Sequence, residues 1–287
     1  MFFFRLATRE EVGFYNGVVY AVQDTFLKVF SERLGDIFRL TGGTALSRFY
    51  LKHRLSEDLD LFTESTDLFT KGQIDRLLAL VGEDLKRFEL DMRVEGRGPL
   101  YTRLSVKHGN LSLRIDLSVD KFLSDPVRTQ EGFLIDSLEN IAVNKLIAFE
   151  DRAEIKDLMD MLFLEREGFS LDRLLELADE KGVSVPHEEL FTINQHGLTG
   201  FALLLKDVSG QELEEFLERI KQKLSENIKK KVSQIEAERL VRLLLWDAPP
   251  EERKVSPLSL PLLKRRAEKL SLPNRIALER YISSFLA

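Results

Sequence analysis

Residues 38–63 read FRLTGGTALSRFYLKHRLSEDLDLFT, and this stretch decides the fold. A short apolar run ends in Thr41-Gly42-Gly43, and Ala45, Leu46, Phe49 and Tyr50 then recur at helical spacing, so the order is strand, glycine turn, helix. Glycine at 42 and 43 lets the backbone take positive φ and come close to a ligand. Thr44 follows as the expected N-cap, and the amides of the first turn would form a site suited to phosphate. From Glu57 to Phe62 the pattern alternates, sending Leu59 and Leu61 to one face and Asp58 and Asp60 to the other. Two residues along a strand span roughly 6.5–7 Å, so both carboxylates can turn to one hard cation. A D-x-D pair alone also fits a solvated strand face.

A third carboxylate changes the weighing. Leu111, Leu113, Ile115 and Leu117 alternate inward, leaving Asp116 outward with Arg114 and Ser112. If this strand lies beside the first, three aspartates line one surface. Three carboxylates can hold two Mg2+ ions about 3.5–4 Å apart, the arrangement of two-metal phosphoryl transfer.

Gly42-Gly43-Thr44, then His53-Arg54-x-Ser56-x-Asp58-x-Asp60, then Asp116, resembles the polymerase-β-like nucleotidyltransferase superfamily, and within it the AbiEii/AbiGii toxin family. Lys145 with its helix, and the run Lys156-Asp157-Leu-Met-Asp160, resemble that family's lysine and aspartate motifs. The similarity spans roughly 40–164. Gly43 stands where many nucleotidyltransferases have Ser, with the hydroxyl one residue on at Thr44. The resemblance implies an NTP-using enzyme in which Gly42, Gly43 and Thr44 hold the triphosphate and Asp58, Asp60 and Asp116 hold Mg2+. Arg54, Ser56 and Lys145 would neutralise phosphate charge. Asp157 would orient Lys145 or Arg152, or merely pair with a surface lysine; Lys145 itself is either a phosphate contact or an amphipathic lysine with its ammonium in water. It also implies a toxin-like role with a cognate antitoxin, an RNA acceptor at the tRNA 3′ end as first choice, and a protein acceptor as second. A D-x-D glycosyltransferase and a nucleotide- or partner-binding module without catalysis remain the alternatives.

Around this centre the sequence predicts an α+β domain, with a mixed or antiparallel sheet backed by helices over residues 1–185 and a C-terminal all-helical region over 186–287. Thr8 starts a long amphipathic helix to Leu34, and Lys71–Leu85 reads as another. Strands are expected at Phe88–Val94 and Leu100–Val106 around a Gly96-Arg97-Gly98-Pro99 turn, with a surface loop over Val119–Gly132. Helices are expected after Ser137, at Glu154–Glu165 and at Leu171–Asp179. Further on, Gln211–Leu224, Asn227–Leu245, Pro261–Leu270 and Asn274–Phe285 read as helices, with Ala248-Pro249-Pro250 and Glu251-Glu252 as a break.

The 287 residues are 44% hydrophobic and 31% charged, a soluble globular composition with a formal net charge of -6. Residues 187–287 hold 17 Lys+Arg against 15 Asp+Glu, and the remainder 25 against 33. The clusters Lys221, Lys223, Lys229, Lys230, Lys231 and Lys264, Arg265, Arg266 are either an RNA track or a solvated helix face. Trp246, the only tryptophan, is expected in the core. The absence of cysteine excludes disulfides and thiolate chemistry. His53, His108, His187 and His196 lack metal-ligand spacing, so no zinc site is expected. Met1–Arg5 is too short for a signal sequence and no run is long enough for a membrane span, so a cytoplasmic protein is expected.

Overall fold

The structure, a computed structural model, describes residues 3–186, 190, 193, 197–249 and 254–286. Met1, Phe2, His187, His196, Pro250, Glu251, Glu252 and the Lys231 side chain lie outside them. The fold is α+β, a mostly antiparallel sheet backed by helices with a helical C-terminal region. The strands are β1 (Phe4–Leu6), β2 (Arg39–Thr41), β3 (Leu59–Thr63), β4 (Asp91–Gly98), β5 (Tyr101–His108), β6 (Leu111–Val119), β7 (Val127–Arg128), β8 (Leu134–Ile135) and β9 (Ala202–Leu204). Seven of them form one sheet in the order β4-β5-β6-β3-β2-β8-β7, while β1 and β9 pair separately and in parallel.

Compact packing divides the chain into Met1–Glu218 and Arg219–Ala287. The chain past Pro186 returns to the first unit. There, β9 pairs with β1, Leu205 N donates to the His53 carbonyl (2.7 Å), and Leu55 N donates to the Leu203 carbonyl (2.8 Å).

In the first unit, Thr8 caps Arg9–Phe14 reciprocally. Glu11 N donates to Thr8 Oγ1 (3.2 Å), and Thr8 N donates to the Glu11 carboxylate (2.8 Å). The helix continues through a π-helical turn, Tyr15–Val19, into Tyr20–Leu34, whose Phe26, Leu27, Phe30 and Leu34 are buried. Phe30 meets Phe38 edge-on at 5.5 Å, seating this helix at the start of β2. Helix Gln73–Leu85 buries Ile74, Leu78, Val81 and Leu85, and the alternating Leu104, Val106, Leu113, Ile115 and Leu117 supply the apolar sheet face. The expected Gly96–Pro99 turn falls later: a bulge between Val94 and Gly96 lets β4 run on to Gly98. Ser137 caps Leu138–Arg152, accepting from Asn140 N at 3.2 Å.

Within the second unit, Val241, Leu245 and Ala248 pack with Leu263, Ala267, Leu278 and Ile282. The two helices expected over 211–245 are one, Gly210–Leu244, since no residue there breaks the hydrogen-bond ladder. Helices Leu260–Ala267 and Leu272–Leu286 follow. Trp246 is 72% exposed, not core; Leu245 beside it takes the buried position. Arg266 is held by Asp247, so it is no open cation. Among the described residues no helix is long and apolar enough to cross a membrane.

Candidate active site

The sheet register brings the aspartates together. β3 runs parallel to β6 with Asp60 opposite Asp116, and Asp58 lies just before β3 on the same face. All three line one cleft of about 530 Å³. Arg114 Nη2 donates to Asp58 Oδ2 (2.5 Å). Arg103 Nε and Nη2 donate to the two Asp116 oxygens (2.8 and 3.1 Å), and the Tyr101 hydroxyl donates to Oδ1 (2.7 Å). Burial would raise the Asp116 carboxyl, yet these donors outweigh it and hold it below the ordinary range. Burial pushes the Asp60 carboxyl up; Lys145 pulls it down, while Asp58 and Asp116 add to the rise.

Gly42 has a φ of +68°, and a Cβ there would overlap the Asp60 carboxylate. Hence the second carboxylate of the pair sits directly against backbone that only glycine supplies. A Gly42→Ala variant is expected to lose about 1–2 kcal/mol of stability to the left-handed backbone alone. Because Asp60 must also move, any activity that depends on this carboxylate should fall further than the stability change explains; urea unfolding and activity measured together check this.

Thr44 does not cap the helix. Thr41 holds that position, and the helix starts at Gly42–Ala45, continuing as a π-helical turn, Leu46–Leu51. Thr44 is fully buried; its Oγ1 donates to the Asp58 carbonyl (2.5 Å) and lies 3.0 Å from Ser56 Oγ. It braces the approach to β3 instead of facing the cleft. Of the glycine-turn residues Gly43 lines the cleft, together with Ser56 and Arg54.

Behind the aspartates lies a buried ionic network. Asp160 accepts from Arg54 Nε and Nη2 (2.7 and 2.8 Å) and from His53 Nε2 (2.6 Å), and lies 2.9 Å from Lys145 Nζ. Asp157 accepts from Lys145 (3.0 Å) and from Arg152 (2.7 and 3.0 Å). Lys145 is thus not a surface lysine: it is 4% exposed, held by both carboxylates, and lines the cleft. Burial works against its charge, but Asp160 and Asp157 raise its pKa. Asp160 is held well below the carboxylate range by Arg54 and Lys145 against the opposing effect of burial. Burial lowers the His53 pKa more than Asp160 raises it, which favours the neutral ring, and a carboxylate partner at Nε2 favours the tautomer with its proton there.

The spacing of the sequence alone missed Asp160, His53, Tyr101 and Arg103 as partners of the site. Asp160 had two signals, its place in the run that resembles the family's aspartate motif and its spacing three residues after Asp157 on the same helix, Ile155–Arg166. Tyr101 and Arg103 become visible only through the β5–β6 register, which sets Arg103 opposite Asp116.

The donor set suits a hard cation, being carboxylate oxygen throughout; burial is the main cause of the raised Asp60 carboxyl, and a cation would offset both that burial and the smaller repulsion from Asp58 and Asp116. Among the described residues no three such side chains are already gathered as a cation site, since arginines hold Asp58 and Asp116.

The family model described as nucleotidyl transferase AbiEii toxin, type IV toxin–antitoxin system, matches residues 26–238. The chain belongs to this AbiEii toxin family. As an AbiEii protein it is a nucleotidyltransferase of the toxin–antitoxin class. The matched span contains every residue of the cleft except Tyr15, and reaches past β9. Similar solved structures include JHP933 from Helicobacter pylori, 20% identical, covering 79% of this chain and 97% of that one with a TM-score of 0.43. MenT4, a nucleotidyltransferase toxin from Mycobacterium tuberculosis H37Rv, is 14% identical over 93% of this chain and 92% of its own, with a TM-score of 0.48. No curated protein matches the sequence significantly.

Proposed function

We propose that this AbiEii protein transfers a nucleoside monophosphate from an NTP to an acceptor hydroxyl, with RNA, at the tRNA 3′ end, as the acceptor and a protein hydroxyl as the second choice. The observation that carries the reading is Asp60 opposite Asp116 on parallel strands, with Asp58 two residues before, in a cleft also lined by Arg54, Lys145 and Arg152. The acceptor oxygen attacks the α-phosphorus, the bond from α-phosphorus to the bridging oxygen breaks, and pyrophosphate leaves; the acceptor proton passes to solvent. Asp58, Asp60 and Asp116 are the residues that would hold Mg2+, two ions in all, with Asp58 and Asp116 exchanging their arginines for it. When bound, the metal would neutralise phosphate charge and favour ionisation of the attacking hydroxyl.

The chain's own residues position and neutralise. Gly43 and Ser56 give the triphosphate a small, close wall, and Lys145, fixed by Asp157 and Asp160, presents one ammonium to the phosphates. Arg54, with its guanidinium fixed by Asp160, adds a second charge that does not need to reorganise during reaction. Asp157 also fixes Arg152. Such a reaction belongs in the cytoplasm, where nucleoside triphosphates are found, and its toxicity would be met by a cognate antitoxin.

The test is incubation of the protein with Mg2+, each α-labelled NTP in turn, and total RNA or total protein, beside an Asp58→Ala control. Label in a tRNA-sized band that disappears in the control is the expected outcome. Label confined to protein would replace the acceptor, and label in neither would count against transfer.

A further inference from the structure

We propose that the Phe201 ring is the platform on which a nucleobase stacks in the aspartate cleft. The inference rests on the nucleotidyl-transfer reading and deepens it. A nucleotide has two unlike ends: a charged tail, and a flat base whose faces are poorly hydrated. Carboxylates and cations dominate the cleft wall, which suits the tail and offers little to the base. Phe201 is the phenyl ring among the lining residues, and it lines the cleft with 51% of its surface exposed, which leaves a flat apolar face open to a flat partner.

The ring is held, not loose. Ala202 N donates to the Phe3 carbonyl (3.1 Å), and β9 begins at once, paired with β1. Leu203 and Leu204 are tied to the segment carrying Arg54 and Ser56, through Leu55 N to the Leu203 carbonyl and the Arg54–Leu204 bridge. The platform is therefore tied by its backbone to the stretch that carries the phosphate-facing residues. Arg5 lies over the ring, 5.9 Å from its centroid, and Glu11 fixes Arg5 through two hydrogen bonds of 2.7 and 2.6 Å. The other aromatic side chain of the cleft, Tyr15, is already engaged: its hydroxyl meets Glu57 at 3.4 Å and its ring packs edge-on against Tyr20.

A base–aromatic stack tolerates every base because each has a π-face, so Phe201 gives affinity with little discrimination among the four bases. The base belongs either to the incoming nucleotide or to the end of the acceptor RNA, and binding separates the two.

The experiment measures, by calorimetry in Mg2+, binding of the four α,β-methylene nucleoside triphosphates, of a short single-stranded RNA, and of inorganic tripolyphosphate. Wild type, Phe201→Ala and Phe201→Trp are compared. Phe201→Ala is expected to weaken either the nucleotides or the RNA about tenfold, the order of one stacking contact, with tripolyphosphate unchanged and Phe201→Trp restoring affinity. The ligand weakened identifies the source of the base. Unchanged binding of both nucleotides and RNA in Phe201→Ala, or an equal loss for tripolyphosphate, would overturn the proposal. Failure of wild type to bind any of the nucleotides would remove the nucleotidyl-transfer reading, and failure to bind both the nucleotides and the RNA would remove the platform with it.

Discussion

Asp60→Ala is expected to lower nucleotidyl transfer at least about 1,000-fold, equivalent to about 4 kcal/mol of transition-state stabilisation, while leaving the protein folded. Asp60 is the carboxylate with the least freedom. It stands opposite Asp116, follows Asp58 on the same face, and rests against Gly42, where no side chain fits. Removing it deletes the member of the set that belongs to both neighbours. Stability should move the other way. Burial holds the Asp60 carboxyl above its ordinary value, with Lys145 opposing the rise and Asp58 and Asp116 reinforcing it. A raised carboxyl means the folded state binds its proton more tightly than the unfolded chain, so ionisation at neutral pH costs stability. Asp60→Asn should therefore unfold in urea at the same or a higher midpoint at pH 7, with transfer lost. Near-normal turnover of either variant would remove Asp60 from the chemistry.

Asp160→Ala is expected to cost about 3–5 kcal/mol of stability, the scale for removing one partner from a buried charge cluster. The carboxylate is fully buried and is the shared acceptor of His53, Arg54 and Lys145. Without it, Arg54 keeps no side-chain carboxylate in this network and Lys145 keeps only Asp157. The pH dependence has a definite sign. Asp160 is held well below its ordinary value, so its contribution is full above the unfolded carboxylate pKa of 3.8 and disappears as pH falls towards the lower folded value. Urea unfolding at pH 7 should show the large difference, and the difference between wild type and Asp160→Asn should narrow as pH drops below about 4. An Asp160→Ala protein as stable as wild type at pH 7 would show that the cluster does not stabilise the fold.

The carboxylate geometry was legible because it depends on local periodicity. Alternation in Leu59–Thr63 and Leu111–Val119 fixed which side chains share a face, and one parallel pairing then set Asp60 beside Asp116. The helical caps at Thr8 and Ser137 were legible for the same reason, since each is a short-range match of side chain to backbone. The buried network was not. Arg54 and Asp160 are 106 residues apart, and nothing in either neighbourhood marks the other. Thr44 misled because a hydroxyl after two glycines reads as a cap, whereas the helix begins two residues earlier and buries it. Strand β9 is three residues in a run of leucines without alternation, so the return of the chain to the cleft left no local signal. Trp246 shows the limit of composition: a large apolar residue next to a helix end is placed by the phase of that helix, and Leu245 took the inward position.

The most direct test of the account follows both ends of the donor. ATP, GTP, CTP and UTP, each labelled at the α- or the γ-phosphorus, are incubated with the protein, Mg2+ and total RNA, and the labelled RNA and released pyrophosphate are quantified against Asp60→Ala. The account predicts α-label in RNA with one pyrophosphate released per label for at least one donor, no γ-label in RNA, and neither product with the variant. Gamma-label in RNA, or undiminished α-label with Asp60→Ala, would contradict it.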